Sequence, residues 1–192
     1  YPLIPSIHAS ISSSSKWGAA MKTPLLIVDG YNMIGAWPEL VLLKNQDRLE
    51  DAREALLHRL SNYSKYEGLK IIVVFDAQLV PGVTQSYSKY QLQVIFTEEG
   101  ETADSYIERI AGELNDRLTQ VTVATSDLAE QWVVFSQGAL RTSARELYKS
   151  IEKTEEAIHQ HQTDIKFENF RRNSPWTPEQ LAELEKKLHD LS

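Results

Sequence analysis

The run Leu25-Leu26-Ile27-Val28-Asp29-Gly30 limits the possible folds more than any other stretch of the chain. Four apolar residues in a row cannot alternate between a wet and a dry face. The strand they form must be covered on both sides, as in a parallel sheet packed between helices. That strand ends in a carboxylate. Ligands of open α/β sheets bind beyond the carboxyl ends of the strands, so Asp29 stands where chemistry is usually done. Gly30 allows a sharp turn, and the Asn32 amide can orient a water or a phosphate oxygen. An ordinary Asp-Gly strand-to-loop turn is the competing reading.

The pattern then repeats. Trp37-Pro38-Glu39-Leu40 reads as a turn, and Leu49, Ala52, Leu56 and Leu60 recur at helical spacing up to a stop at Gly68. Lys70 to Phe75 is a second apolar run, closing on Asp76. A strand-helix-strand unit is right-handed in nearly all folds, which predicts Asp29 and Asp76 on one edge of the sheet. Residues 77–90 read as a long exposed loop, either a plain linker or a surface where Tyr87, Lys89 and Tyr90 stack on bases and meet phosphates.

Leu92 to Thr97 is a third strand. Glu98, Glu99, Glu101 and Asp104 follow, then Ile107, Ile110, Ala111 and Leu114 at helical spacing. Thr102 is the expected cap, with Asp104 in the first turn. Complementing the helix dipole accounts for one such acid more easily than for four. Val121 to Asp127 is a fourth strand ending in an acid, although Asp127 with Glu130 also fits a capping box. A helix through Trp132 and Phe135 stops at Gly138, and Ala139 to Thr142 forms a short fifth strand carrying Arg141. Ser143 with Glu146 opens a long helix to about Gln162, and Thr177-Pro178 opens a last, highly charged one.

Organisation follows from composition. Residues 1–20 hold a single lysine, no acid and a four-serine run, so they read as a disordered leader or a non-native extension. Residues 21–162 form the expected α/β domain, a mainly parallel sheet of four or five strands, and 163–192 a helical appendage. No apolar run approaches the ~20 residues that span a bilayer. The absence of cysteine removes disulfides and thiolate metal sites and fits a cytoplasmic setting. A net charge of -7 argues against coating nucleic acid through bulk electrostatics. An RNA partner would need a local basic patch or metal ions.

If the sheet is parallel, Asp29, Asp76, Asp104 and Asp127 converge at one edge. Carboxylates brought together repel, and something must neutralise them. Oxygen donors without Cys, and without His at ligand spacing, suit Mg²⁺ or Mn²⁺ rather than zinc. Such ions serve phosphates, where they activate water and stabilise the leaving oxygen. The position two residues after Asp29, where an aspartyl-phosphatase needs its second Asp, is Tyr31. Glycine-rich phosphate loops and a Gly-x-Ser-x-Gly elbow are also missing.

Val28 to Pro38, Val73 to Ala77, Val94 to Thr97, Glu101 to Asp104, Ala124 to Asp127 and Gln137 to Arg141 resemble, in that order, the bacterial YacP branch of the NYN-domain family, over roughly Leu25 to Ile158. The resemblance implies a PIN-like three-layer α/β/α nuclease fold and a metal-dependent endoribonuclease that cleaves mRNA on translating ribosomes. Carried over by position, it implies Asp29, Asp104 and Asp127 as metal-binding acids, with Asp76 a fourth. Asn32 and Ser126 are expected to position the scissile phosphate, and Arg141 and Arg145 to contact the RNA backbone. A non-catalytic RNA- or nucleotide-binding module with an acidic metal pocket is the alternative, and DNA flap cleavage by the same chemistry a third reading.

Overall fold

A computed structural model describes residues 22–77, 90–126, 138–173 and 177–189. Strand β1 (Thr23–Asp29) lies between β2 (Lys70–Phe75) and β4 (Thr119–Ala124), with β3 (Gln93–Phe96) outside β2 and β5 (Leu140–Thr142) outside β4. Every pairing is parallel, with Val28 opposite Val73 on one side and Ala124 on the other. Six helices are described: α1 (Gly30–Ala36), α2 (Pro38–Asn45), α3 (Leu49–Glu67), α4 (Ala103–Leu114), α5 (Ala144–Asn173) and α6 (Pro178–His189). None is long and apolar enough to cross a membrane.

Alternation along the strands splits the core into two layers. Leu26, Val28, Ile71, Val73 and Phe75 point to one face, against Met33 and Ile34 of α1, Leu40 of α2, Leu56 and Leu60 of α3 and Ile151 of α5. Leu25, Ile27, Ile72, Val74, Val121 and Val123 point to the other, against Ile107, Ile110 and Ala111 of α4. This is the three-layer α/β/α arrangement that the continuous apolar strands require. Full burial of each such side chain is worth about 1.5–3 kcal/mol, so these layers fix the strand register.

The structure corrects three expectations. Trp37 to Leu40 is no turn: Pro38 occupies the first position of α2, where a missing N–H costs nothing. Tyr90 is no exposed stacking platform. It is buried in the larger core layer, and its carbonyl accepts a 2.6 Å bond from Ser61; Tyr87 and Lys89 lie outside the described residues. The long helix continues past Gln162 to Asn173, since no glycine or proline interrupts it before Pro175. The predicted caps hold elsewhere: Gly68 ends α3 in the left-handed conformation, and Thr177 and Gln180 exchange capping bonds at the start of α6.

Gly30 follows β1 directly into α1, with no loop between. Its role is close approach rather than a special φ, because a Cβ there would overlap the ring of Phe75. Gly30→Ala is therefore expected to lower unfolding stability by about 1–3 kcal/mol in urea titrations, and Phe75→Leu in the same chain to recover part of the loss. Additive losses in the double mutant would refute the clash.

Candidate functional site

The carboxyl edge of the sheet is built from strand ends and the helices that leave them. Asp29 closes β1 and caps α1, its Oδ1 accepting the Asn32 N–H at 3.1 Å. Packing of the strand's apolar body draws this carboxylate in with it, to 8% exposure. Asp76 follows β2, and its flanks are tied to the end of β3: the Thr97 N–H donates to the Phe75 carbonyl at 3.0 Å, and the Ala77 N–H donates to the Thr97 hydroxyl at 3.1 Å. Asp104 sits exposed in the first turn of α4, whose cap is Thr102 as expected, accepting the Ser105 N–H at 3.2 Å.

These three acids form one electrostatic unit. Burial above all pushes the Asp29 carboxyl up to about 6, and the charges of Asp104 and Asp76 add to the rise, while the Asn32 and Tyr31 amides oppose it. After burial, the groups that act most on Asp29 are amides and other acids. A buried carboxylate facing two like charges gains most from a hard cation, and its donor set is all oxygen, which suits Mg²⁺ or Mn²⁺ in kind. Among the described residues, however, no three His, Cys, Asp or Glu side chains form a group that could by itself hold an ion. Asp127 lies outside the described residues, and with it the helix expected through Trp132 and Phe135.

The remaining expected residues are placed as follows. The Asn32 side-chain oxygen accepts the Ser126 N–H at 2.9 Å, joining α1 to the end of β4. The Ser126 hydroxyl accepts the Ala144 N–H at 3.1 Å, joining that end to α5. Arg141 is exposed on β5, two strands from β1 and so roughly 10 Å across the sheet. Arg145 is exposed in the first turn of α5. Beside them Glu146 and Ser143 form the predicted capping box, with bonds of 2.7 and 3.2 Å. These backbone and hydroxyl bonds, aided by Arg141, hold the Glu146 carboxyl below its usual range.

Sequence reasoning missed the supporting residues. Tyr31 packs edge-on against Phe75 and accepts a bond from the buried Arg53 at 3.3 Å. Trp37 is buried and donates its indole N–H to the Ala144 carbonyl at 2.9 Å. A polar residue at i or i+3 of a capping pattern is readable from sequence; a partner 107 positions away is not. A cavity of about 570 Å³ is also elsewhere, at the opposite edge where β1, β2 and β3 begin, between Leu25, Lys70, Gln93 and Tyr106. Its walls hold Glu113 but none of the predicted acids.

A family profile described as the YacP-like NYN domain matches residues 26–189. The chain belongs to that family. The YacP-like match takes in α6, so the C-terminal tail is part of the likeness and not outside it, as the motifs alone suggested. A Bacillus subtilis (strain 168) protein described as uncharacterized protein YacP is 46% identical over 162 residues, 84% of this chain and 95% of its own. The crystal structure of Rae1 (YacP) from Bacillus subtilis has a TM-score of 0.69 at 45% identity, covering 86% of this chain and 94% of that one. A point mutant of the same protein gives 0.65 at 42%, over 85% and 89%. The fold is PIN-like.

The Asp29 shift has a definite sign. The folded state holds the proton more tightly than the unfolded chain, whose value is 3.8, so the stability this contributes is complete below 3.8 and lost as pH rises through about 6. The loss is roughly 2–3 kcal/mol. In divalent-free urea titrations Asp29→Asn is expected to gain on the wild type by that order between about pH 4 and pH 7. Parallel curves would mean that the carboxylate is not desolvated.

Proposed function

We propose that this YacP-like NYN domain is a divalent-metal-dependent endoribonuclease that cleaves mRNA in association with the translating ribosome. The observation that carries the reading is the buried Asp29 carboxylate at the carboxyl edge of a parallel sheet, with Asp104 and Asp76 close enough to disfavour its charge. A protein bears the cost of grouped acids where a cation or a reaction uses them. Membership of the family supports the reading.

In this reading Asp29, Asp104 and Asp127 are the catalytic acids, and together with Asp76 they hold Mg²⁺ or Mn²⁺. Such an ion, when bound, supplies charge for the phosphodiester oxygens and acidity for a water molecule. The chain itself does the rest. Asp29 and Asp104 fix the donor positions, one buried in the sheet edge and one on the following helix. Asn32 offers its NH₂ to the scissile phosphate, its oxygen being engaged by Ser126, and Ser126 sits beside it. Arg141 and Arg145, exposed on the β5 side of that edge, meet the RNA backbone. With a net charge of -7 the chain has little bulk attraction for free RNA, and docking on a cytoplasmic ribosome supplies what electrostatics does not. Residues 21–162 carry the chemistry, and 163–192 form an appendage.

Incubating the purified chain with labelled RNA and Mn²⁺, with and without ribosomes, tests this directly. Cleavage is expected to require Mn²⁺ and to fall at least about a hundredfold in Asp29→Asn or Asp104→Asn, the scale of losing one catalytic group. A 2′-deoxy linkage at the cut site should leave binding intact if the enzyme selects RNA by its 2′-hydroxyl during the reaction. RNA binding without cleavage under all these conditions would favour a non-catalytic binding module.

A further inference from the structure

The cavity at the amino edge is a second concave site, separated from the acids by the length of the strands. Its floor is apolar, made of Leu25, Ile72 and Ile95. Its rim is polar, with Gln91, Gln93 and Tyr106 beside Lys70 and Glu113. A volume of about 570 Å³ lies within the roughly 300–1,000 Å³ of small-molecule sites, which typically join an apolar body to a few convergent polar groups. None of the acids assigned to the nuclease reaction belongs to this wall.

The polar groups of the rim are fixed in place and open to a ligand. Gln93 and Ile95, two apart on β3, share one face, and Gln91 joins them from just before the strand with φ 55, a left-handed conformation that a residue with a Cβ adopts at a cost. Tyr106 is held from outside the wall by Arg109, which lies 4.8 Å from its ring centroid and pairs with Glu101 at 3.1 Å. Among the described residues, nothing bonds the Tyr106 hydroxyl or the side-chain amides of Gln91 and Gln93. Charge at this edge is balanced or slightly negative. Lys70 and Glu113 are of opposite sign, and α3 and α4 both end here, so their carbonyl ends disfavour an anion.

We propose that this cavity binds an uncharged nucleobase, carried by a free nucleoside. The flat ring lies on the apolar floor beside Tyr106, and the Gln91 and Gln93 amides pair with its edge. Each amide offers a donor and an acceptor, the pattern with which glutamine recognises a base. Lys70 adds one further donor and Glu113 one further acceptor. A phosphate has no place in the site, since a lone ammonium faces a carboxylate and two helix carboxyl ends.

The test is equilibrium dialysis of the full chain, without divalent ions, against adenosine, guanosine, cytidine and uridine and against their 5′-monophosphates. At least one nucleoside is expected to bind saturably with a Kd of roughly 1 mM or below, and its 5′-monophosphate several-fold more weakly. Gln93→Leu, at an exposed position, removes one amide at similar volume and is expected to weaken binding about tenfold with the melting temperature unchanged. Leu114→Trp, where the side chain is 38% exposed, fills the cavity from its wall and is expected to weaken binding at least as much. Asp29→Asn is expected to bind like the wild type, which separates this site from the acidic edge. The proposal is overturned if no nucleoside saturates, if the monophosphate binds more tightly than the nucleoside, or if Asp29→Asn rather than the cavity variants loses binding. Should Gln93→Leu not fold, Leu114→Trp decides alone. None of these outcomes bears on RNA cleavage, so the nuclease reading stands or falls separately.

Discussion

Keeping a carboxylate at the end of a buried strand is the constraint to which the rest of this molecule answers. β1 is central in the sheet and covered on both faces, so Asp29 leaves water with it. Desolvation penalises the charged form, and the neighbouring Asp104 and Asp76 increase that penalty instead of relieving it. Two backbone amides at the start of α1 return part of the cost. The chain has basic residues in number, but after burial the groups that act most at this point are amides and acids. Packing alone does not call for an edge arranged in this way, because grouped acids raise the cost of the buried charge.

The energy that tolerates such an edge comes from elsewhere. Leu26, Val28, Val73 and Phe75 on one face and Ile27, Ile72, Val74 and Val123 on the other supply many kcal/mol of apolar burial, against which a few kcal/mol at Asp29 is affordable. Ion pairs contribute unequally. Arg48 with Asp51 and Arg109 with Glu101 are exposed and worth little. Arg59 differs, since it bridges Glu39 of α2 and Glu155 of α5 while stacking on Trp37 and Tyr148. It ties α2, α3 and α5 together on that face of the sheet.

Polar residues at the strand ends share a pattern, through backbone and side-chain bonds alike. Thr97 brackets Asp76 with two bonds, the Thr125 N–H donates to the Thr142 carbonyl, and Asn32 and Ser126 join β1 to β4 and α5. In a parallel sheet the last residues of each strand have no next rung to pair with, so side chains and neighbouring turns satisfy their backbone groups. Here that accounting also fixes the acids. At the amino edge the Ser64 hydroxyl closes the start of β2 in the same way, donating to the Leu69 carbonyl at 2.7 Å in the wall of the large cavity.

The sequence by itself determined the local features. Uninterrupted apolar runs could only become covered parallel strands, and Thr102, Gly68, the Ser143-Glu146 pair and Thr177 marked helix ends through bonds spanning a few residues. The acids at strand ends could be read as a group because parallel topology carries all such ends to one edge. Local rules failed where burial overrode them. Tyr90, polar-flanked in sequence, is drawn into the core, and Trp37, read as part of a turn, is buried with its indole N–H on the Ala144 carbonyl. Only the tertiary structure decided that Asn32 bonds to Ser126 and Ser126 to Ala144, that Gly30 makes room for Phe75, and that Asp29 is desolvated. Those facts depend on atoms 18 to 94 residues apart meeting within a few ångströms, which no periodicity or capping pattern along the chain encodes.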